Sequence, residues 1–512
     1  MGRTRSSLIN IIVALIGQLI GLIVSFIARI YFIRVLGAEY LGINALFTNI
    51  LTMLSLVELG IGPAIIFSLY KPLAEKNTTK VLALMKFYQK VYSIVGIIIG
   101  VLGLCIIPFL PYIIKDISIN NELNFAFSLF VINAATTYFL SYKRNLIIAD
   151  QYRYIATIYR YSFFTILNVL QISFLLITDS YIVFLFIQVL LTILENVFVS
   201  RHADKMYPFL RYKKSEKVDR KTLGEIIKNT KALVLHKIGG IVVSSTDNII
   251  ISVYVGILWV GLYSNYQLMI NALNTIIGQF FSAITASVGN LGANESNNKS
   301  FSVFQNIFFF NFWIFGVCSI CLLFLANPFI EIWLGNKFIL EIEIIFILII
   351  NFFVNGMRKT SLTFTDAFGL YWYSRYKPIF EAIINLVLSL ALVSKFGLVG
   401  VFFATLISTL TTCFWVEPKV LYKYGFNKPL NLYFKKYLVY TLAVMFGGIV
   451  TYVILLLIEG EDIIAFFWKT SICFITPNIV FLIIFHRTKE FKYFYNLIKP
   501  IIKMMKIKVF KS

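Results

Sequence analysis

Two arginines stand inside the first long apolar run of the chain, in the stretch FIARIYFIRVLGAEYLG at 26–42. An arginine in hydrocarbon costs from about 3 to more than about 10 kcal/mol, depending on how it is measured. A span that keeps Arg29 and Arg34 must let them snorkel, pair them with a carboxylate or turn them toward a polar cavity. Five positions correspond to about 140° around a helix, so the two cannot face the same way. Arg34 ends the span, where snorkelling or packing accounts for it most simply, with a cavity role as the alternative. Arg29 lies more than a turn deeper and is the stronger candidate to line a central cavity. Arg358, in a later apolar run, and Lys237, which opens another beside His236, are candidates for the lower part of that cavity. Carboxylates in the same setting do different chemistry: they bind a proton or metal cation, or pair with a cavity base. Asp247 and Glu58 (near the outer end of the second run) are the candidates for ion coupling or a cavity ion pair. Lys86 and Lys90 read as snorkelling, Asp366 as paired with a loop base, and Glu195 as paired across helices.

The elements that must position these charges follow from composition. The chain has 512 residues, of which 59% are hydrophobic and 14% charged. A soluble domain is nearer one-half apolar and one-quarter charged. The excess is spread from end to end, which predicts an all-α polytopic membrane protein. Its net charge of +22 does not point to nucleic acid, because the basic residues sit in short gaps between apolar runs. There they set orientation and meet anionic headgroups. The first run is too long for a signal-peptide core and lacks a small-residue cleavage site, so it is read as an uncleaved span. Cys318 and Cys321 form a C-x-x-C with no second ligand pair, and the five cysteines read as helix-packing residues. Neither a cofactor nor a catalytic constellation is expected.

About 20 apolar residues cross a membrane as a helix. That measure gives about 14 spans, from 8–34 to 463–486, with close pairs at 155–178/181–200 and 377–394/397–416. Loop charge predicts that both termini lie inside. One set of loops holds Arg3, Arg5, Lys71, Lys76, Lys80, Lys143, Arg144, the basic run 201–231, Arg375, Lys377, Lys419 to Lys436 and the tail after Arg487. The opposite set holds only Lys115, Lys337 and Lys395, and includes Glu459, Glu461 and Asp462. No loop on that side is long enough for a soluble domain.

An internal repeat subdivides the bundle. VLGAEYLGINALF at 35–47 aligns with YVGILWVGLYSNY at 254–266, matching Gly37 and Gly42 to Gly256 and Gly261 at a shift of 219. Tyr154 and Tyr376 end a second match at a shift of 222. A basic pair followed by an acid precedes each: Lys143-Arg144 then Asp150, and Arg358-Lys359 then Asp366. Two pseudo-symmetric six-helix lobes are therefore predicted, 1–200 and 232–420, related by an axis along the membrane normal. A basic connector, 201–231, joins them. Two further helices at 421–486 and a basic amphipathic tail at 487–512 lie outside the repeat. Arg29 falls eight residues before Gly37 and Asp247 nine before Gly256, so a cation and an anion take nearly equivalent depths and are expected to share one cavity.

These segments carry a family resemblance. IRVLGAEYLGINALF resembles the R-x-L-G-x-x-x-x-G signature of polysaccharide-unit flippases in the multidrug/oligosaccharidyl-lipid/polysaccharide exporter superfamily. LVELGIGPAII at 56–66, STDNIIISVYVGILWVGLYSNYQLM at 245–269 and FGLVGVFFATLIST at 396–409 resemble their second, seventh-to-eighth and twelfth helices. The resemblance implies a V-shaped fold like that of MATE transporters, in a bacterial inner membrane. It also implies movement of an undecaprenyl-diphosphate-linked oligosaccharide to the outer leaflet, driven by H+, Na+ or membrane potential. Membrane lipids and a polysaccharide polymerase are the implied neighbours. A diphosphate headgroup favours arginine, whose planar fork makes two charge-assisted bonds at once. Arg29, Lys237, Arg358 and Arg34 are the residues that would meet it. The rival readings are a cation-coupled multidrug or metabolite antiporter of the same fold and, further off, a membrane polysaccharide polymerase or glycosyltransferase. Fourteen spans and Arg29 weigh against the first, and short outer loops against the second.

Overall fold

The computed structural model describes residues 3–496 and 499, apart from 59, 60, 115–120, 213–215, 217, 459 and 461. All regular structure among the described residues is helical. The long helices are α1 (Arg3–Leu54), α2 (Ile61–Ala74), α3 (Thr78–Ile106), α4 (Asn121–Ala149), α5 (Arg153–Thr178), α6 (Tyr181–Met206) and α7 (Arg220–Tyr254). They continue as α8 (Ile257–Asn294), α9 (Asn297–Leu334), α10 (Ile342–Ala367), α11 (Lys377–Thr411), α12 (Cys413–Val420), α13 (Asn431–Leu455) and α14 (Ile463–Phe485). Residues 489–496 are also helical, and the remainder of the tail, except 499, lies outside the described residues.

Among the described residues, ten stretches are long and apolar enough to cross a membrane. Two of them, of 43 and 55 residues, are each long enough to cross twice. Each contains one glycine with non-helical backbone, Gly37 (φ 87°) and Gly397 (φ 53°), where the chain reverses. An L-residue with a side chain rarely adopts such a φ, so these glycines make the turns possible. Counting both double crossings gives twelve. Helices α7 and α10 supply two more; α10 carries Glu343, Arg358 and Lys359 within one span length, which sets it apart from the uncharged spans. The structure thus bears out the all-α, fourteen-span architecture.

The repeat is written in the turns as well. Positive φ recurs at Gly37 and Gly256, at Gln151 and Gly369, and at Asp179 and Gly397. The three shifts are 219, 218 and 218, so three helix–helix junctions of the first half reappear at a nearly constant distance along the chain.

Contacts divide the chain into two units, Met1–Ser264 and Asn265–Ser512. In the first, α4 lies between α3 and α6, and α1 packs on α5. The latter packing is set by small residues: the Tyr161 ring lies across Gly17 and Gly21, where a Cβ on Gly17 would stand 2.2 Å from it. Asn10 fixes the end of α1 by accepting from the Tyr154 N–H (2.7 Å) and donating to Gln151 O (3.0 Å). Beyond the last turn of α6, Tyr207 donates to Asp150 (2.8 Å), and burial followed by that carboxylate holds its phenol protonated well above the usual range.

In the second unit, α13 and α14 dock on the phenylalanine-rich α9. Phe312 stacks on Tyr440 at 4.4 Å and packs against Phe481 and Phe485. Helices in lipid gain no hydrophobic driving force from meeting one another, so shape and ring contacts carry such an interface. Cys321 donates to the Cys473 carbonyl (3.3 Å), a packing contact between α9 and α14.

Candidate functional site

Arg29 donates from Nη1 to the Ser264 hydroxyl at 2.8 Å, a contact that bridges α1 and α8. The residue before it, Tyr263, feels the charge of Asp247 on α7. Asp247 is buried. The cation and the anion that the repeat places at similar depth thus act on adjacent residues of α8, Arg29 by a hydrogen bond to Ser264 and Asp247 through its charge on Tyr263, all within the first unit. Arg34 is exposed and lies 6.0 Å from the Tyr31 ring, so the two arginines do diverge. The side chains of His236 and Lys237 lie outside the described residues. Lys90 is exposed.

Glu58 sits in a 3-10 turn, Ser55–Glu58, that separates α1 from α2. The second span is therefore a broken helix, with Glu58 near its middle rather than near its outer end. The physical reason is local: the 3-10 turn replaces the α-helical ladder where hydropathy reads an unbroken apolar segment. Tyr92 donates to Glu58 Oε1 (3.2 Å) and accepts from Asn145 (3.1 Å). Tyr138 interacts with the same carboxylate. A carboxylate with phenols around it, at a helix break inside the bilayer, is suited to hold a cation or proton.

Each unit also contains a charge cluster built on three successive spans around a buried glutamate. In the second unit Arg358 grips Glu417 through Nε (3.0 Å) and Nη2 (2.7 Å). Its Nη1 meets Asn355 at 2.6 Å and Glu381 at 3.7 Å. Lys377 bonds the same Glu417 carboxylate. In the first unit Arg144 meets Glu195 at 2.7 Å, and Arg160 approaches that carboxylate at 3.5 Å. The parts correspond: arginine on α4 or α10, a second base on α5 or α11, glutamate on α6 or α12. Lys143 and Asp204 add a further pair at 2.7 Å. Arg358 is thus engaged by two carboxylates and an amide, and Glu195 pairs across helices. Sequence reading finds the basic pairs but not the partners Glu417, Lys377 and Glu381, which lie 59, 19 and 23 residues along the chain from Arg358. Ser264, Tyr92 and Tyr138 were missed as well, since a hydroxyl in an apolar run carries no signal of its own.

The motif that carries the repeat closes on itself. A Cβ on Gly42 would stand 2.1 Å from Ile257 O, and one on Gly261 would stand 2.1 Å from Ala38 O. A shift of 219 converts Gly42 into Gly261 and Ala38 into Ile257, so the two contacts are reciprocal, the mark of a two-fold crossing. The second unit holds an apolar groove of about 560 Å³, lined by Ile320, Phe324, Phe353, Phe414, Tyr437 and Met445 among others.

The fold is similar to that of solved transporters of the multidrug/oligosaccharidyl-lipid/polysaccharide superfamily. The inward-closed lipid II flippase MurJ superposes with a TM-score of 0.62 at 14% identity, over 93% of this chain and 99% of its own. An inward-facing multidrug-resistance MATE transporter of that superfamily gives 0.62 at 13% identity, over 80% and 98%. A mutant form of the Vibrio cholerae MATE transporter VcmN gives 0.57 at 11%, over 83% and 99%. No curated protein matches the chain by sequence. The sequence profile of the polysaccharide biosynthesis protein family matches residues 7–288, more than half of the chain. The protein belongs to that family.

Proposed function

We propose that this protein moves an undecaprenyl-diphosphate-linked oligosaccharide repeat unit from the cytoplasmic to the outer leaflet of a bacterial cell membrane, by alternating access. The observation that carries the reading is Arg29, a guanidinium held inside a span by Ser264 of a neighbouring helix, next to Tyr263, which feels the charge of Asp247. In low dielectric such a cation gains most from an anion that can take two bonds at once, and a diphosphate can. Asp247 and Glu58 are the groups we assign to coupling with H+ or Na+. Lys237 and Arg34 remain secondary candidates for the headgroup. Arg358 acts in this reading by bracing α10 to α12 rather than by touching cargo. The apolar groove of the second unit offers the prenyl tail a side track while the headgroup crosses.

The rival, a cation-coupled multidrug antiporter, shares the fold. MATE structures align with about 80% of the chain and the lipid II flippase with 93%. The difference is close to the size of α13 and α14, which favours a flippase-like chain of fourteen spans. Leaflet accessibility of the lipid-linked glycan, measured in Arg29→Ala and Asp247→Ala variants that insert normally, tests the assignment. Loss of translocation in both is expected; wild-type translocation in both removes these residues from the mechanism.

A further inference from the structure

At one end of the second unit, aromatic rings and cations interleave. Arg375, in the turn between α10 and α11, lies 3.9 Å from the Trp372 ring and 4.6 Å from Tyr376. Its Nη1 donates to Trp372 O at 2.8 Å, which fixes the guanidinium between them. Tyr373 stacks on Tyr424 at 3.8 Å, tying that turn to the segment following α12. Lys423 stands over Tyr424 and Lys419 over Trp415, at 5.1 and 5.3 Å. Trp372 is 69% exposed and Tyr376 56%, so these rings are not core. They stand where α11 begins and α12 ends, and aromatic side chains at the ends of spans are typical of a membrane–water interface.

The charge balance is one-sided. The carboxylates between 370 and 428 are Glu381 and Glu417, both buried and both engaged by Arg358, with Lys377 also on Glu417. Asp366 borders the segment. Arg375, Lys419, Lys423 and Lys428 therefore give this face a net positive charge. From Tyr376 an exposed apolar stripe, Phe380, Ile383 and Val387, runs down α11 at helical spacing.

We infer that this face binds the headgroup of an anionic phospholipid, its phosphate taken by Arg375, Lys419 and Lys423 and its acyl chains lying along Phe380, Ile383 and Val387. The aromatic rings hold the cations in place and seat them at phosphate depth, which a loose lysine in a loop does not achieve. Commitment to a membrane lipid rather than a soluble anion rests on that apolar stripe, continuous with the cationic head. The inference is independent of what cargo the protein moves.

Full-length protein in nanodiscs of phosphatidylcholine, doped with phosphatidylglycerol, tests it by the lipid retained on extraction and weighed by native mass spectrometry. Phosphatidylglycerol should be retained over phosphatidylcholine, and Arg375→Ala, Lys419→Ala and Lys423→Ala should each reduce that preference by about fivefold. Lys71→Ala, at an exposed lysine elsewhere, should leave it unchanged. Equal retention of the two lipids by the wild type would overturn the inference. So would single variants that keep the wild-type preference, or displacement of phosphatidylglycerol by millimolar inorganic phosphate, which would mark a soluble-anion site. The cations are on the surface, and the singles suffice if a triple variant cannot be recovered.

Discussion

Burying a charge creates an obligation, and the residues here meet it in two ways. Arg358 is matched in full: two carboxylates and an amide surround it. Removing one partner of a buried pair strands the other, at about 3–5 kcal/mol. Arg358→Ala should therefore lower the thermal stability of the purified protein strongly. Arg358→Met with Glu417→Gln should lose less than the two single changes added together, since one cation and one anion leave together and the remaining Lys377 and Glu381, four residues apart on α11, can pair with each other. Arg29 donates through Nη1 to a neutral hydroxyl, Ser264, and its planar fork suits an incoming anion. Arg29→Lys should insert normally and retain part of the translocation that Arg29→Ala loses, as read by leaflet accessibility of the glycan. A lysine keeps the charge but not the fork. That both arginines lie within apolar runs was legible in the sequence. Their different fates were not, because Glu417 is 59 positions from Arg358 and Ser264 is 235 from Arg29; only folding brings them together.

Helices show a similar division between what a pattern reveals and what it hides. The Gly-x4-Gly repeat was visible at once, and the left-handed backbone at Gly37 and Gly256 explains the first glycine of each copy. The second glycine needs a neighbour to explain it. With the facing carbonyl 2.1 Å from where a Cβ would stand, Gly42→Ala or Gly261→Ala must push the two helices apart, at about 1–3 kcal/mol. Disulfide trapping between cysteines placed at 38 and 257 should be efficient in the wild-type background and weak in either variant. The break at Ser55–Glu58 left no mark on hydropathy, because SLVELGIG is nearly as apolar as the spans around it. Hydropathy measures transfer into lipid, not continuity of the backbone ladder. Glu58→Gln should insert as the wild type does and uncouple transport from an imposed ion gradient, measured in proteoliposomes.

For the whole molecule, loop charge predicts both termini inside. On a cysteine-free background, Asp179→Cys and Lys337→Cys should react with an impermeant thiol reagent added to intact cells. Lys76→Cys and Lys428→Cys should react only after permeabilisation. The reverse pattern would invert the orientation and the direction of transport with it. The count of fourteen spans and the duplicated halves were readable because bilayer thickness and repeated turn chemistry both act on consecutive residues. The stacking of α13 and α14 on α9 was not, since a span rich in phenylalanine reads alike whether its rings meet lipid or one another.

The reciprocal crossing of Ala38–Gly42 with Ile257–Gly261 bears on ancestry. Before the halves were joined in one gene, two copies of a six-helix chain could have met through this same face, each glycine opposite its own twin. A single substitution would then have struck both sides of the contact together. Fusion freed the sides to diverge: the residue against Gly261 is Ala38 and the one against Gly42 is Ile257, while the glycine pair has stayed the same on both.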